Sequence, residues 1–366
     1  MKKHSWGYFI SKSVLLGLIV SFVLLILIPD LRQNSGLALR LFTQQDYVPE
    51  RISFHDAVRI SAPAVIDIVS SSIDAPAFPY QQRQERISLG SGVIMNEEGY
   101  ILTCYHVIRN AETISVRLND GRILEAQQVG QDAYTDLAVL KVESDNLAVI
   151  PQQPEITNRV GDLVLAIGNP YNVGQTITQG VISATGRNGL STNANGYASF
   201  IQMDATLNEG NSGGALIDSN GYLVGINNAN FKTLDSRRRV KDVAGIFFAV
   251  PYELAKKVMD SIIANGRVIR GFIGINGYEQ REANGTNTYS GILVTAVEPM
   301  GPANKAGIQA DDILTRIEEE DIDNIHQVLD RVAETQPGSV LHFEVLRDNQ
   351  RLQIPVTIGE LRANPN

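Results

Sequence analysis

The segment Asn208-Glu209-Gly210-Asn211-Ser212-Gly213-Gly214 holds the densest set of chemistry-bearing residue types in the chain. A serine becomes a nucleophile when its hydroxyl stands on a tight turn and backbone N–H groups face the oxyanion that forms opposite it. Flanking glycines permit that turn, which makes the N–H groups of Gly210 and Ser212 the candidate oxyanion donors. Taken alone, the motif fits a glycine-rich hairpin equally well. A nucleophilic serine needs a base, and His106 stands where the strand-like run ILTCYHVI ends. The base needs a carboxylate to orient it, and Asp136 opens the run DLAVLKV. In isolation these are a surface histidine and a solvated turn aspartate, but His, Asp, Ser is one of the orders in which triads occur. Asp132 is the rival acid, set in a polar loop. Glu209 beside the turn either biases its resting conformation or is simply solvated.

Such groups need a rigid frame. From about Ile52 to Val250 short apolar runs alternate with Gly, Asn and Asp. SGVIMNEEGYILTCYHVI reads as two strands about an Asn-Glu-Glu-Gly turn, and TISVRLNDGRILEAQQVG as a hairpin at Asp120-Gly121. LVLAIG, TITQGVISATG, ALIDSNGYLVGI and GIFFAV continue the style. The pattern predicts an all-β barrel or sandwich, and about 200 residues is enough for two barrels. PYELAKKVMDSIIANG then reads as a helix closed by Gly266. Beyond Asn265–Ile269 the chain changes to a small α+β module. There GFIGI begins a strand, GILVTAV gives another, and NIHQVLDRVAET is an amphipathic helix with Ile325, Val328, Leu329 and Val332 on one face. VLHFEVLRD and RLQIPVTI form a hairpin at Asp348-Asn349.

Of 366 residues, 43% are hydrophobic and 19% charged, with a net charge of −9, so real cores are available and a phosphate-backbone binder is excluded. The single cysteine, Cys104, excludes an internal disulfide framework and a cysteine-rich zinc site, and reads as packing. The five histidines (His4, His55, His106, His326 and His342) show no ligand spacing. No metal and no cofactor are expected, and His326 reads as a surface or groove residue. Ser13 to Pro29 is about seventeen residues without charge, preceded by Lys2, Lys3 and Lys12. The reading is an uncleaved anchor with the N-terminus in the cytoplasm, the alternative being a cleaved signal peptide. The expected layout is a cytoplasmic stub and anchor over 1–30, a linker over 31–50, the β domain that carries Ser212 over 51–263 and the α+β module over 264–366.

In the blocks APAVIDI, GSGVIMNEEGYILTCYHVI, DAYTDLAVLKV, GNPYNVGQTITQGVISATGR, GNSGGALID and GFIGI, in that order, the chain resembles the HtrA serine proteases. Within them it is most similar to the membrane-anchored members with one PDZ domain. The resemblance implies a mainly β fold: a chymotrypsin-like double β-barrel followed by one α+β PDZ domain, behind an N-terminal transmembrane helix. It makes Ser212 the nucleophile, His106 the general base and acid, Asp136 the orienting carboxylate, and Gly210 and Ser212 the oxyanion donors. Phe272, Ile273, Gly274 and Ile275 would bind a peptide's terminal carboxylate. The loop from Thr185 to Ser199 matches an activation loop, with Arg187 and Tyr171 as regulatory residues. Thr206, where a basic-residue protease places an acid, disfavours Arg or Lys at P1; small aliphatic P1 residues are expected, with Ile246–Ala249 walling the pocket. The implied partners are the C-terminal peptides of unfolded outer-membrane proteins, an RseA-like anti-sigma factor as substrate, the inner membrane, and two further copies in a homotrimer formed near Tyr47–His55. No nucleic acid is implied. The protease and PDZ domains would lie in the periplasm. Two rivals stay open: a general periplasmic degradative protease or chaperone, and a PDZ scaffold with an inactive protease domain.

Overall fold

The computed structural model describes residues 5–27, 53–74, 84–154, 157–187, 200–234, 240–280, 291–322 and 324–361. The chain falls into two units, Met1–Ser53 and Phe54–Asn366. In the first, helix α1 (Ser5–Leu27) is apolar on every face, and its stretch Trp6–Leu24 has a mean hydropathy of 1.9 and no buried side chain. At 1.5 Å per residue it spans about 35 Å, enough to cross a bilayer's hydrocarbon core of about 30 Å.

The second unit opens with α2 (His55–Ser61) and then a coiled sheet. Its elements are β1 (Val65–Asp74), β2 (Gln84–Ile94), β3 (Tyr100–Cys104), the single turn α3 (Tyr105–Ile108), β4 (Thr113–Arg117), β5 (Ile123–Glu125), β6 (Gln127–Asp132) and β7 (Leu137–Lys141). The strand order is β5-β4-β1-β2-β3-β7-β6. The edge strands β5 and β6 are separated only by Ala126, whose N–H reaches Ile114 O at 2.9 Å, so the sheet curls back on itself. This half therefore has seven strands, β5 and β6 following one another across Ala126. The second half is a closed six-stranded barrel: β8 (Leu163–Gly168), β9 (Thr176–Arg187), β10 (Phe200–Met203), β11 (Ala215–Asp218), β12 (Leu223–Leu234) and β13 (Val240–Pro251), in the order β10-β13-β12-β11-β8-β9.

Successive strand residues face opposite sides, and here both sides are apolar. Ala138 and Leu140 enter the core of the first sheet, whereas Leu137 and Val139 join Leu165, Ile167, Ile217 and Val250 in a core between the two halves. That double burial explains why DLAVLKV and LVLAIG are nearly continuous apolar runs. Helix α4 (Tyr252–Asn265) packs Ala255, Val258, Met259 and Ile262 onto the same inter-barrel core. It ends where Gly266 takes φ 72° and returns its N–H to Ile262 O at 2.7 Å.

The C-terminal module contains β14 (Gly271–Phe272), β15 (Ile275–Gln280), β16 (Gly291–Val297), α5 (Pro302–Ala306), β17 (Ile313–Ile317), β18 (Glu320–Asp321), α6 (Ile325–Glu334), β19 (Val340–Arg347), β20 (Gln350–Thr357) and β21 (Gly359–Glu360). Its sheet runs β15-β16-β17-β19-β20 around a core including Val294, Leu314, Phe343 and Val356. Helix α6 is started by a capping box: Gln327 N–H reaches Asn324 Oδ1 at 3.0 Å and the Gln327 side chain returns to Asn324 N–H. Of its expected apolar face, Val328 and Val332 are fully buried. GFIGI is not one strand. Phe272 pairs with Gly359, Gly274 turns at φ 78°, and Ile275 begins the edge strand β15.

Candidate active site

Strands β3 and β7 pair with Cys104 opposite Leu137, so the residues just beyond them, His106 in α3 and Asp136 before β7, come together. His106 N–H donates to Asp136 Oδ1 at 2.9 Å, and His106 Nδ1 lies 2.5 Å from Asp136 Oδ2. Asp136 holds a left-handed φ of 56°, and its carbonyl accepts Tyr105 N–H at 2.8 Å. The imidazole is therefore fixed at one nitrogen while nearly half of the side chain stays open to solvent.

Ser212 comes from the second barrel. Its turn is drawn tight by Asn211 N–H to Asn208 O and Gly214 N–H to Asn211 O, both 3.0 Å, and by Gly213 N–H to Asn227 O at 2.7 Å. Gly210 needs to be glycine twice over: φ is 100°, and a Cβ would stand 2.4 Å from Asn169 O. Glu209 is exposed, and its carbonyl accepts Tyr171 N–H at 2.9 Å. A trans peptide points its N–H opposite its C=O, so Gly210 N–H faces away from Tyr171. Among the described residues neither Gly210 N–H nor Ser212 N–H has an acceptor.

Asn228, missed in the sequence, joins the two halves of the site. Its Nδ2 donates to Asp136 Oδ2 at 3.0 Å, and its carbonyl accepts the Ser212 hydroxyl at 2.8 Å. No hydrogen bond joins Ser212 to His106 among the described residues. The hydroxyl is held by Asn228 O instead. One asparagine among the three of the run Ile226–Asn230 carries no local signal for such a role.

Cys104 is buried. Its Sγ lies 3.3 Å from Asn227 O and 3.7 Å from Asn228 Nδ2. Burial, and secondarily the charge of Asp136, push the thiol well above its ordinary range. Cys104 Sγ, a His106 ring nitrogen and an Asp136 oxygen lie within 4.8 Å of one another. The Asn228 amide, a donor, already serves both the sulfur and the carboxylate, and a neutral thiol is a poor metal ligand. We expect iodoacetamide at pH 8 to alkylate Cys104 at least about 100-fold more slowly in the native protein than in urea, read by intact mass. Equal rates would contradict the burial.

Asp132, expected in a polar loop, ends β6 and is buried. Both of its oxygens take the Arg270 guanidinium at 2.7 Å, and Oδ2 also takes Thr135 Oγ1 at 2.5 Å. It is committed to an ion pair linking the segment before β14 to the turn that precedes Asp136, which removes it as a rival acid. Tyr171 and Asn172 are consecutive left-handed residues with φ 52° and 53°, and the Tyr171 ring is exposed. Arg187 ends β9, opposite Phe200. Residues 188–199 of the expected activation loop and 47–52 of the expected trimer segment lie outside the described residues. Ile246–Ala249 does not form one wall. Strand alternation sends Ile246 and Phe248 to the inter-barrel core, and Phe247 and Ala249 into the second barrel. In the C-terminal module, Ile273 O and Gly274 O accept Ala303 N–H and Glu298 N–H, which fixes the loop before β15.

Fold and site define a trypsin-like serine endopeptidase joined to a small α+β module. Residues 90–226 match the family model of the trypsin-like peptidase domain and residues 271–358 that of the PDZ domain. Serine endoprotease DegS of Salmonella typhimurium is 45% identical over 359 residues, 96% of this chain and 98% of that protein. Periplasmic pH-dependent serine endoprotease DegQ of Escherichia coli is 38% identical over 291 residues, 78% of this chain and 61% of that protein. Among solved structures, the HtrA-type protease AlgW with a decapeptide has a TM-score of 0.74 at 39% identity, covering 86% of this chain and 100% of that one. The serine endoprotease from Yersinia pestis has a TM-score of 0.66 at 44% identity, with coverages of 86% and 100%. The chain belongs to the HtrA family of serine proteases.

Proposed function

We propose that this is a membrane-anchored, peptide-gated serine endopeptidase of the envelope-stress response. Ser212 attacks the scissile carbonyl, His106 takes its proton and returns it to the leaving amine, and Asp136 holds the imidazole. Gly210 and Ser212 N–H receive the oxyanion. The observation that carries this reading is the His106–Asp136 pair linked through Asn228 to Ser212, with Gly210 N–H and Ser212 N–H lacking an acceptor among the described residues. The hydroxyl resting on Asn228 O supports a gate: an activator that binds the competent arrangement more tightly shifts the population toward it.

In the PDZ domain, β15 is an edge strand lying beside α6, and Ile325 N–H reaches Glu279 of that strand at 3.4 Å. An extended peptide adds to such an edge, its carboxylate entering the loop Phe272–Ile275. The decapeptide of the AlgW structure supports peptide binding by this class. In this reading the activators are C-termini of unfolded outer-membrane proteins, and the substrate is the periplasmic domain of an RseA-like anti-sigma factor. Small aliphatic residues occupy P1, Tyr171 and Arg187 couple peptide binding to the oxyanion turn, and the working unit is a homotrimer. Residues 1–30 form the stub and anchor, 31–50 the linker, 51–263 the protease and 264–366 the PDZ domain. The N-terminus is cytoplasmic, and both domains face the periplasm across the inner membrane.

The test is hydrolysis of such an anti-sigma-factor domain by the full chain in proteoliposomes, with and without a peptide ending in a porin-like aromatic residue. Stimulation of at least about tenfold is expected. High activity without peptide would support a degradative enzyme, and silence in both conditions an inactive scaffold.

A further inference from the structure

Ser91 belongs to the first sheet, in β2, and is fully buried. It takes no part in acid–base chemistry, yet its hydrogen bonds converge on the turn of the other barrel. Its hydroxyl donates to Gly210 O at 2.7 Å and accepts Asn169 N–H at 3.1 Å. Its N–H donates to Ser212 O at 2.9 Å, and its carbonyl accepts Thr103 Oγ1 at 2.7 Å. We propose that Ser91 is a positioning residue that holds the oxyanion turn in register with the catalytic pair. The inference rests on reading Gly210 and Ser212 N–H as the oxyanion donors.

A backbone N–H lies in the rigid peptide plane that precedes its residue, and the plane that follows fixes the other side of that residue. At Gly210 the plane before is held by Tyr171 N–H on Glu209 O, and the plane after by the Ser91 hydroxyl on Gly210 O. At Ser212 the plane before is held by Gly214 N–H on Asn211 O, and the plane after by Ser91 N–H on Ser212 O. Ser91 thus holds the plane next to each donor's own, and with it the position of the donor residue. Gly210 needs such a restraint. The φ of 100° requires glycine, and glycine has no intrinsic preference that would keep it there.

The same hydroxyl also takes Asn169 N–H, at the start of the turn whose Tyr171 N–H holds Glu209 O, so one oxygen touches both Gly210 and that turn. Its single proton goes to Gly210 O and a lone pair to Asn169 N–H. Replacement by alanine would leave two buried backbone groups without partners while keeping the main-chain bond to Ser212 O. Ser91→Ala therefore isolates the hydroxyl's contribution.

The experiment compares wild type, Ser91→Ala, Ser91→Cys and Ser91→Thr as full chains in detergent micelles. Each is assayed with and without activating peptide for kcat, KM and the inhibition constant of a peptide boronate, which bonds to the serine and fills the oxyanion position. Losing one oxyanion donor outright costs about 10²- to 10³-fold in kcat; loosening one is expected to cost about 10- to 100-fold. For Ser91→Ala we expect that fall in kcat, a KM within about threefold of wild type, and boronate affinity lost in parallel with kcat. Ser91→Thr keeps the hydroxyl and should recover most of the activity. If the alanine variant does not fold, Ser91→Cys carries the test, since sulfur keeps the volume but hydrogen-bonds weakly. A lowered Tm with kcat and boronate affinity within about threefold of wild type would overturn the proposal. Failure of the underlying reading looks different: wild type itself would bind the boronate no better than Ser212→Ala does.

Discussion

Ser212→Ala is expected to lower kcat for peptide-bond hydrolysis by about 10⁴- to 10⁶-fold, leaving only what substrate binding and the oxyanion N–H groups provide. The substitution removes the nucleophilic oxygen and one hydrogen bond, that to Asn228 O at 2.8 Å. The bonds that shape the turn are main-chain ones or come from Ser91, so they persist. The variant should therefore fold, with a Tm within a few degrees of wild type, and should still bind an activating peptide. A fluorophosphonate probe would label wild type and leave the variant unmarked. His106→Ala should cost a comparable factor, and the double variant little more than either single one, because the two residues act as a unit. Proteolysis by Ser212→Ala at a near wild-type rate would mean that the chemistry lies elsewhere.

Arg270→Ala should cost about 3–5 kcal/mol of folding stability, far more than any of the exposed ion pairs. The Asp132 and Arg270 side chains are only 4% and 10% exposed, and they meet through two parallel bonds of 2.7 Å. Removing the guanidinium strands a carboxylate where water cannot reach it. Asp132 also holds Thr135 through Oγ1 and N–H, and Thr135 is the residue before Asp136. Damage should therefore extend to the orienting carboxylate, and basal kcat should change together with stability. Arg270→Met combined with Asp132→Leu should be less destabilised than either single change, since an apolar pair leaves no orphaned charge. Chemical denaturation of the full chain in detergent micelles checks both statements; a loss below about 1 kcal/mol for Arg270→Ala would show that the pair is solvated.

Much of this was legible in order and type. The left-handed turn at Asp348 and Asn349, with φ 50° and 65°, is what an Asp-Asn hairpin requires, and the glycine after α4 closes it as its position suggests. GFIGI does begin a strand, at Ile275, but the left-handed Gly274 that separates it from the pairing of Phe272 with Gly359 was not legible in its apolar letters. Asp132 misled, since a carboxylate among Gly, Gln and Asp looks solvated until its arginine arrives from 138 residues away.

The sequence by itself determined the residue types of the site, the tight turn around Ser212 and the apolar helix at the N-terminus, because these follow from side-chain chemistry, glycine's freedom and local hydropathy. Tertiary structure alone decided that Asn228 and Ser91 join the site, that Asp132 leaves it, and that Ser212 rests on a carbonyl rather than on His106. Those outcomes depend on hydrogen bonds between residues far apart in the chain, brought together only when the two barrels pack, and no local pattern encodes which distant donor meets which acceptor.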